Sequence, residues 1–386
     1  MKRNQAAFQL VAALLSAVLL FAAYSYIVGD GTVFKGQMDG QVIRARVIRV
    51  TDVTTNSADG ENTFVTVRFK AQALNTELRG KTLEVTQEID NSYAFSPKQV
   101  EAEDRVLVER YTEAGSQTYY FGDYIRITPL LWLLGVFCVL IIVFSRMQGV
   151  KTLISLTYTC VSVFAVLLPA ILNGHNIYLW SILVCVFITV MTLSIISGLN
   201  PKSVCACIGC VSGVLTAGLI VVIMQKFLRM TGMLEEESIY LLTLRPDDPI
   251  DLKAIIFAMI IVGAVGAVMD VSMSISSSLY ELRKKSPHIK PGELMRSGFT
   301  IGRDMMGTMA NTLVLAYIGS SLTCVLLLVA NNADLNQVIN KEVIIADILQ
   351  ALAGSLGMLL TLPLTSAVCA ALYYNEKKEG PAHAAR

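Results

Sequence analysis

The sequence predicts an α-helical polytopic membrane protein of about eight transmembrane helices, both termini cytoplasmic, with a small all-β extracytoplasmic domain after the first helix. Three observations predict it. Of 386 residues, 54% are hydrophobic and 16% charged, with a mean hydropathy of +0.58; the apolar residues fall in blocks long enough to cross roughly 30 Å of hydrocarbon as helices. Lysine and arginine gather in alternate connections, as in membrane proteins that keep short basic loops in the cytoplasm. Only one long stretch, Gly29 to Tyr124, reads as soluble. The net charge of +1 gives no support to nucleic-acid binding.

The first block, Ala7 to Val28, follows Lys2 and Arg3 and reads as an uncleaved anchor. A signal peptide is the alternative, but the apolar core is long and no clear Ala-x-Ala site follows. Beyond it, VIRARVIRV at Val42 to Val50, TFVTVRF at Thr63 to Phe69, KTLEVTQEI at Lys81 to Ile89, RVLVER at Arg105 to Arg110 and QTYYF at Gln117 to Phe121 alternate with period two and are rich in β-branched and aromatic residues. They predict five strands, with turns at Asp59-Gly60, Gly80 and Gly115-Ser116. A small barrel or sandwich, with the oligonucleotide/oligosaccharide-binding barrel as one candidate, would hide the sheet edges. Such a fold does not by itself imply a ligand.

Seven further blocks follow: Pro129 to Ser145, Thr152 to Leu172, Tyr178 to Ile196, Val204 to Phe227, Ala254 to Ser278, Met305 to Ala330 and Ile348 to Tyr373. The chain thus divides into an anchor (1–28), a β-rich domain (29–124), a seven-helix domain (125–375) and a cytoplasmic tail (376–386). Arg146, Lys151, Lys202, the cluster Arg283, Lys284, Lys285, Lys290, Arg296 and Arg303, and then Lys377, Lys378 and Arg386 all fall on the side of Lys2 and Arg3. The opposite loops are poor in cations or acidic, as at Glu235, Glu236, Glu237, Asp247, Asp248 and Asp251.

All eight cysteines (Cys138, Cys160, Cys185, Cys205, Cys207, Cys210, Cys324, Cys369) lie in or beside apolar blocks, so no disulfide framework supports the β domain. The cluster SVCACIGC reads as helix packing, with metal as the less favoured alternative, because no histidine lies nearby in sequence. The three histidines, His175, His288 and His383, fall in loops. No cofactor is expected.

The conspicuous residue is Asp270, inside an apolar run and close to midway between Lys253 and Arg283. An ionised aspartate at the bilayer centre costs about 2.5–3.5 kcal/mol, so this side chain must face protein or water, or be protonated. Ser274, Ser277, Ser278 and Glu281 follow at helical spacing and make one polar stripe toward the cytoplasmic end. Gly263 and Gly266 precede it, with Ala267 beside them, where another helix can approach. In the next block Asp304, Thr308, Asn311 and Thr312 share a face. If the two helices pack, Asn311 comes near the depth of Asp270 and Ser274, and Asp304 near Ser278 and Glu281. Thr361, Thr365 and Ser366 around Pro363 add further oxygens, and the proline leaves a carbonyl free. This arrangement predicts a cation or proton path. The alternative is that Asp270 is a structural anchor and that Asp304 pairs with Arg283 or Arg303. The methionines Met269, Met273, Met305, Met306 and Met309 read as packing, with soft-metal binding as the alternative.

At these residues the chain resembles the YibE/F-like family of bacterial membrane proteins. The resemblance rests on GAVGAVMDVSMSISSSLYEL, Gly263 to Leu282, and GFTIGRDMMGTMANTLVLAYIGSSL, Gly298 to Leu322, and extends across most of Val42 to Tyr373. It implies a membrane or transport protein and a paralogous partner. It places Asp270, Arg303, Asp304 and Asn311 within the family's hallmark strings, and it brings no catalytic residues.

The leading expectation is a secondary transporter or permease of an unidentified small solute or ion. No Walker-type nucleotide motif occurs, so an ion gradient would drive it. The alternative is a membrane-anchored binding, assembly or signalling protein acting through the β domain. An intramembrane enzyme is the least favoured reading: Asp304 is expected too near the interface to meet Asp270, and no serine has a basic partner in reach. The partners implied are the lipid bilayer and a second copy or a paralogous subunit.

Overall fold

In a computed structural model, the structure describes residues 2–28, 41–58, 62–75, 77–90, 98–113, 116–234, 236–243, 245, 248–330 and 334–379. The chain forms two compact units, Phe34–Ile141 and the remainder, Met1–Val33 with Ile142–Arg386. The first unit holds five strands: β1 (Gln41–Ala58), β2 (Asn62–Ala73), β3 (Thr82–Asp90), β4 (Arg105–Glu113) and β5 (Ser116–Tyr124).

They close into a barrel in the order β1-β2-β3-β5-β4. β1 makes the closure possible. Its first residues pair with β4, Gln41 opposite Arg110 through Arg46 opposite Arg105, while its longer second part pairs with β2. Two bulges, between Val47 and Arg49 and between Val50 and Asp52, bend the strand from one neighbour to the other. β5 meets β3 in parallel at Thr86 and Tyr120. This is a five-stranded Greek-key barrel of the oligonucleotide/oligosaccharide-binding type. Alternate residues fill the interior: Ile43, Ala45 and Val47; Val67, Phe69 and Ala71; Leu83 and Val85; Val106 and Val108. Gln87 is buried among them, donating to the Lys98 carbonyl at 3.1 Å and accepting from the Val100 amide at 3.1 Å. It holds the segment that leads into β4. Of the expected turns, Gly80 adopts φ +86°; Asp59, Gly60 and Gly115 lie outside the described residues.

Among the described residues, seven helices are long and apolar enough to cross a membrane. One of them, Ile127–Leu172, contains both the second and the third expected blocks. Within it α2 (Ile127–Val161) is broken at Arg146, whose φ of 48° and ψ of −128° interrupt the helical ladder. Each side of the break is long enough for one crossing, the first spanning about 28 Å at 1.5 Å per residue. A π-helical turn, Ser162–Leu167, then precedes α3 (Leu168–Leu172). Pro169 has no amide hydrogen and would clash with the carbonyl four residues back, and the wider turn ahead of it relieves that clash.

The second unit also contains α1 (Lys2–Val28), α4 (Ile177–Ser197), α5 (Pro201–Phe227), the short α6 (Glu236–Thr243), α7 (Leu252–Lys285), α8 (Pro291–Ala330), the short α9 (Leu335–Ile339) and α10 (Glu342–Glu379). α1 is packed into this unit: Leu20 and Ile27 are buried, the Tyr158 hydroxyl donates to the Ala13 carbonyl at 3.0 Å, and Asn173 donates to the Ile27 carbonyl at 2.8 Å. Two helix starts are capped by side-chain acceptors. Asn176 accepts from the Leu179 amide, and Asp251 accepts from the amides of Lys253 and Ala254. α7 packs against α4, α5, α8 and α10.

α5 and α10 approach closely because α5 carries glycine where α10 carries threonine. A Cβ at Gly209 or Gly213 would collide with Thr365 or Thr361. The loop after α5 is tied to the start of α10 by Glu342, which accepts from the Thr231 amide at 2.7 Å, the Thr231 hydroxyl at 2.7 Å and the Gly232 amide at 2.5 Å.

Candidate functional site

α7 has two faces. Ile261, Ala264, Val265, Val268, Ser272, Ile275, Ser276 and Leu279 are buried. On the other side Met259, Gly263, Gly266, Asp270 and Glu281 are exposed, and Ser274, Ser277 and Ser278 are half-covered, with Tyr317 and Gln350 close over Gly263. Spacings of three and four residues place this second set on one stripe along the helix. It is a furrow in the chemical sense: two glycines, then a carboxylate, then hydroxyls, then a second carboxylate.

Asp270 is the centre of that stripe and sits about 26 Å from Lys253 and about 20 Å from Arg283 along the axis at 1.5 Å per residue. Among the described residues it makes no hydrogen bond and no ion pair. A Cβ at Gly266, one turn away, would meet nothing within 4 Å. The carboxylate therefore faces space that the described residues leave open.

α8 packs antiparallel to α7. Gly298 stands against Leu279, Gly302 against Ile275, and Tyr317 against Gly263. Carried along both helices, this register puts Gly307 to Ala310 level with Asp270 and Asn311 just beyond, so Asn311 lies close to the expected depth. It does not close a shell around Asp270, because it is uncovered and makes no hydrogen bond among the described residues. Thr308 and Thr312 are also uncovered and turn back on their own helix, donating to the carbonyls of Met305 and Thr308 at 2.9 Å each. At the Asp270 level, a Cβ at Gly307 would also meet nothing.

Asp304 departs from expectation. α8 begins at Pro291 rather than Met305, so Arg303 and Asp304 lie inside the helix, and the register sets Asp304 level with Met273, about one 5.4 Å turn from the depth of Asp270. It is not beside Ser278 and Glu281. Neither Arg303 nor Asp304 has an ion-pair partner among the described residues. Arg283 is occupied elsewhere: it donates to the Ile289 carbonyl at 2.8 Å and closes the turn into α8.

A second polar cluster lies on the buried face of α7, where sequence reasoning placed none. Ser276 donates to the Lys202 carbonyl at 2.6 Å and shares a 2.8 Å hydrogen bond with the Tyr373 hydroxyl, beside the contacting thiols Cys205 and Cys369. Thr361 donates to the Gly357 carbonyl at 2.8 Å. Thr365 and Ser366, also fully buried, make no side-chain hydrogen bond among the described residues. The serine run at Ser272 to Ser278 contains two helical phases, and only the Asp270 phase was marked by a charge. Cys205 and Cys210 are buried in the helix core, and Cys210 lies 3.5 Å from the Thr189 hydroxyl. Asp347 was missed because it stood just before the last apolar block. It lies within α10, where Ser321 of α8 donates to its carboxylate.

The YibE/F-like protein family matches residues 133–375. The barrel precedes the matched residues. No curated protein and no solved structure matches the chain. The family match covers well over half of the sequence, including all of α7 and α8, and the chain belongs to the YibE/F-like family.

Proposed function

We propose that this membrane protein is a secondary transporter or permease in which Asp270 binds a cation or proton near the bilayer midplane. The observation that carries the reading is a carboxylate in the middle of α7 that has no hydrogen-bond or ion-pair partner among the described residues, on a stripe that continues through Ser274, Ser277 and Ser278 to Glu281. A structural anchor needs hydrogen bonds to justify its burial in hydrocarbon, and Asp270 has none among the described residues. A transport carboxylate needs free acceptor capacity and access to water, and the open space beside Gly266 and Gly307 favours both. Ser274 supplies the nearest hydroxyl on the stripe, and Glu281 forms the cytoplasmic mouth. Arg303, Asp304, Thr308, Asn311 and Thr312 lie on the exposed face of α8. The driving force is an ion gradient, and no enzymatic step is assigned.

The membrane is the bacterial cytoplasmic membrane, with the barrel outside. Basic residues at Arg146 and Lys151, Lys202, and Arg283 to Lys285 support this orientation, and two crossings on either side of Arg146 would bring both termini to the cytoplasmic face. Besides lipid, the partner is a second copy or a paralogous YibE/F-like subunit.

Purified wild type and Asp270→Asn are to be compared by thermal unfolding across pH and a panel of cations and small solutes. A ligand that binds only the folded state raises apparent stability according to its concentration relative to its Kd. A shift in wild type that disappears in Asp270→Asn is expected. Identical shifts in both, or none in either, would count against the site.

The closed barrel favours a second reading, a binding or assembly protein that recognises envelope material through the barrel. Under that reading, deletion of residues 29–124 abolishes partner co-purification, while the intact protein shows no flux.

A further inference from the structure

The α7 stripe does not stop at Gly263. Its far end, Met259, borders a cavity of about 330 Å³ between α6, α7, α8 and α10. The walls are largely apolar, as at Leu252 and Ile256, apart from Asp347 and hydroxyls that include Ser320 and Ser321, both of which also donate to the Tyr317 carbonyl of their own helix, at 2.8 and 2.9 Å. Asp347 lies five residues into α10 from Glu342, about 7.5 Å along the axis at 1.5 Å per residue, and is half-buried. Ser321 donates one hydrogen bond to it. A carboxylate has about four lone-pair sites, so most of its acceptor capacity stays open. No lysine, arginine or histidine pairs with it among the described residues. It also borders a second cavity, of about 260 Å³, between α8 and α10. Beyond the first cavity the stripe passes Gly263, where the Tyr317 hydroxyl and the Gln350 amide converge, then the open Gly266, and reaches Asp270.

We infer that Asp347, with the hydroxyls of Ser320 and Ser321, is a second cation-binding site at the end of the furrow opposite Glu281, and that it takes a small monovalent metal cation. The ligand class follows from the donors. One carboxylate neutralises one charge, and carboxylate with hydroxyl oxygen suits a hard cation rather than Cu(I) or Zn²⁺. A proton would need none of the hydroxyl oxygens that line this cavity beside the carboxylate. The inference rests on reading the furrow as a cation path, and it adds the entrance that the Asp270-to-Glu281 half lacks.

Full-length protein is to be treated with a membrane-permeant carbodiimide, which modifies carboxyl groups in apolar surroundings. Labelling is read separately at the peptides carrying Asp347 and Asp270 by mass spectrometry, in choline chloride and then with lithium, sodium or potassium chloride replacing it at constant pH and ionic strength. The expected result is labelling at Asp347 that falls severalfold, in a saturable way, with at least one alkali cation. Ser321→Ala is expected to raise the half-protecting concentration. Asp347 that stays unlabelled in choline, or whose labelling is indifferent to all three cations, overturns the inference. Protection at Asp270 alone would leave the transporter reading standing and remove Asp347 from it. Indifference at both would remove both, whereas protection at Asp347 alone would support the second site and count against Asp270.

Discussion

Asp270 was legible in the sequence because a single charge interrupts an otherwise apolar run, and no packing role requires a carboxylate there. Its environment was less legible. The stripe through Ser274, Ser277 and Glu281 follows from helical spacing, but the absence of any hydrogen bond to Asn311 depends on which way α8 turns. Asp347 was harder to see, since a carboxylate at the edge of an apolar block has the same sequence appearance as an interfacial loop residue. A carboxylate kept for function rather than for stability is expected to be dispensable for folding. Asp270→Asn should therefore unfold at the same temperature as wild type or slightly above it, in the absence of ligand. A large drop in midpoint would identify an anchor instead. Glu342 is the contrasting case, with three hydrogen bonds accepted from Thr231 and Gly232. Glu342→Ala should cost about 1–3 kcal/mol, the usual penalty for stranding partly buried donors, measurable as a lowered denaturation midpoint.

All five strands were readable from their alternation, yet β1 runs on to Ala58, well beyond Val50. Its second part is polar and contains two bulges, so the period of two that marks a strand is lost where the strand changes partner. The junction of the second and third apolar blocks falls where the basic residues placed it, at the break at Arg146, although the helix resumes directly after that residue and Lys151 lies within it rather than in a loop. Two elements invite direct tests. Gln87→Leu should free the Lys98 carbonyl and the Val100 amide, costing about 1–3 kcal/mol; hydrogen exchange at Val100 should rise, and unchanged protection would show that Gln87 does not hold the segment. At the α5–α10 contact, Gly213→Leu should destabilise by about 1–3 kcal/mol or more through overpacking against Thr361, read as lost monodispersity or a lower unfolding temperature.

The broad architecture was fully legible, because hydropathy and block length dictate spanning helices and a polar alternating segment dictates a separate β unit. The proposed orientation rests on the distribution of lysine and arginine alone. It leads to a test in chains whose own cysteines have been replaced. A membrane-impermeant maleimide should label Thr118→Cys, on the barrel, from outside intact spheroplasts, and should label Pro287→Cys, between α7 and α8, only after the membrane is opened. The reverse pattern would invert the topology and exchange the proposed roles of Glu281 and Asp347 as inner and outer mouths. The substrate was not legible, because one carboxylate and a row of hydroxyls specify a charge and a donor type and little else.

The most direct test of the central claim is the charge displaced when reconstituted protein on a solid-supported membrane meets a sudden jump in cation concentration or pH. If Asp270 is the midplane binding site, wild type should give a saturable transient current, and Asp270→Asn, folded and reconstituted to the same density, should give none. Equal currents from the two proteins would contradict the account and return Asp270 to the role of a structural residue.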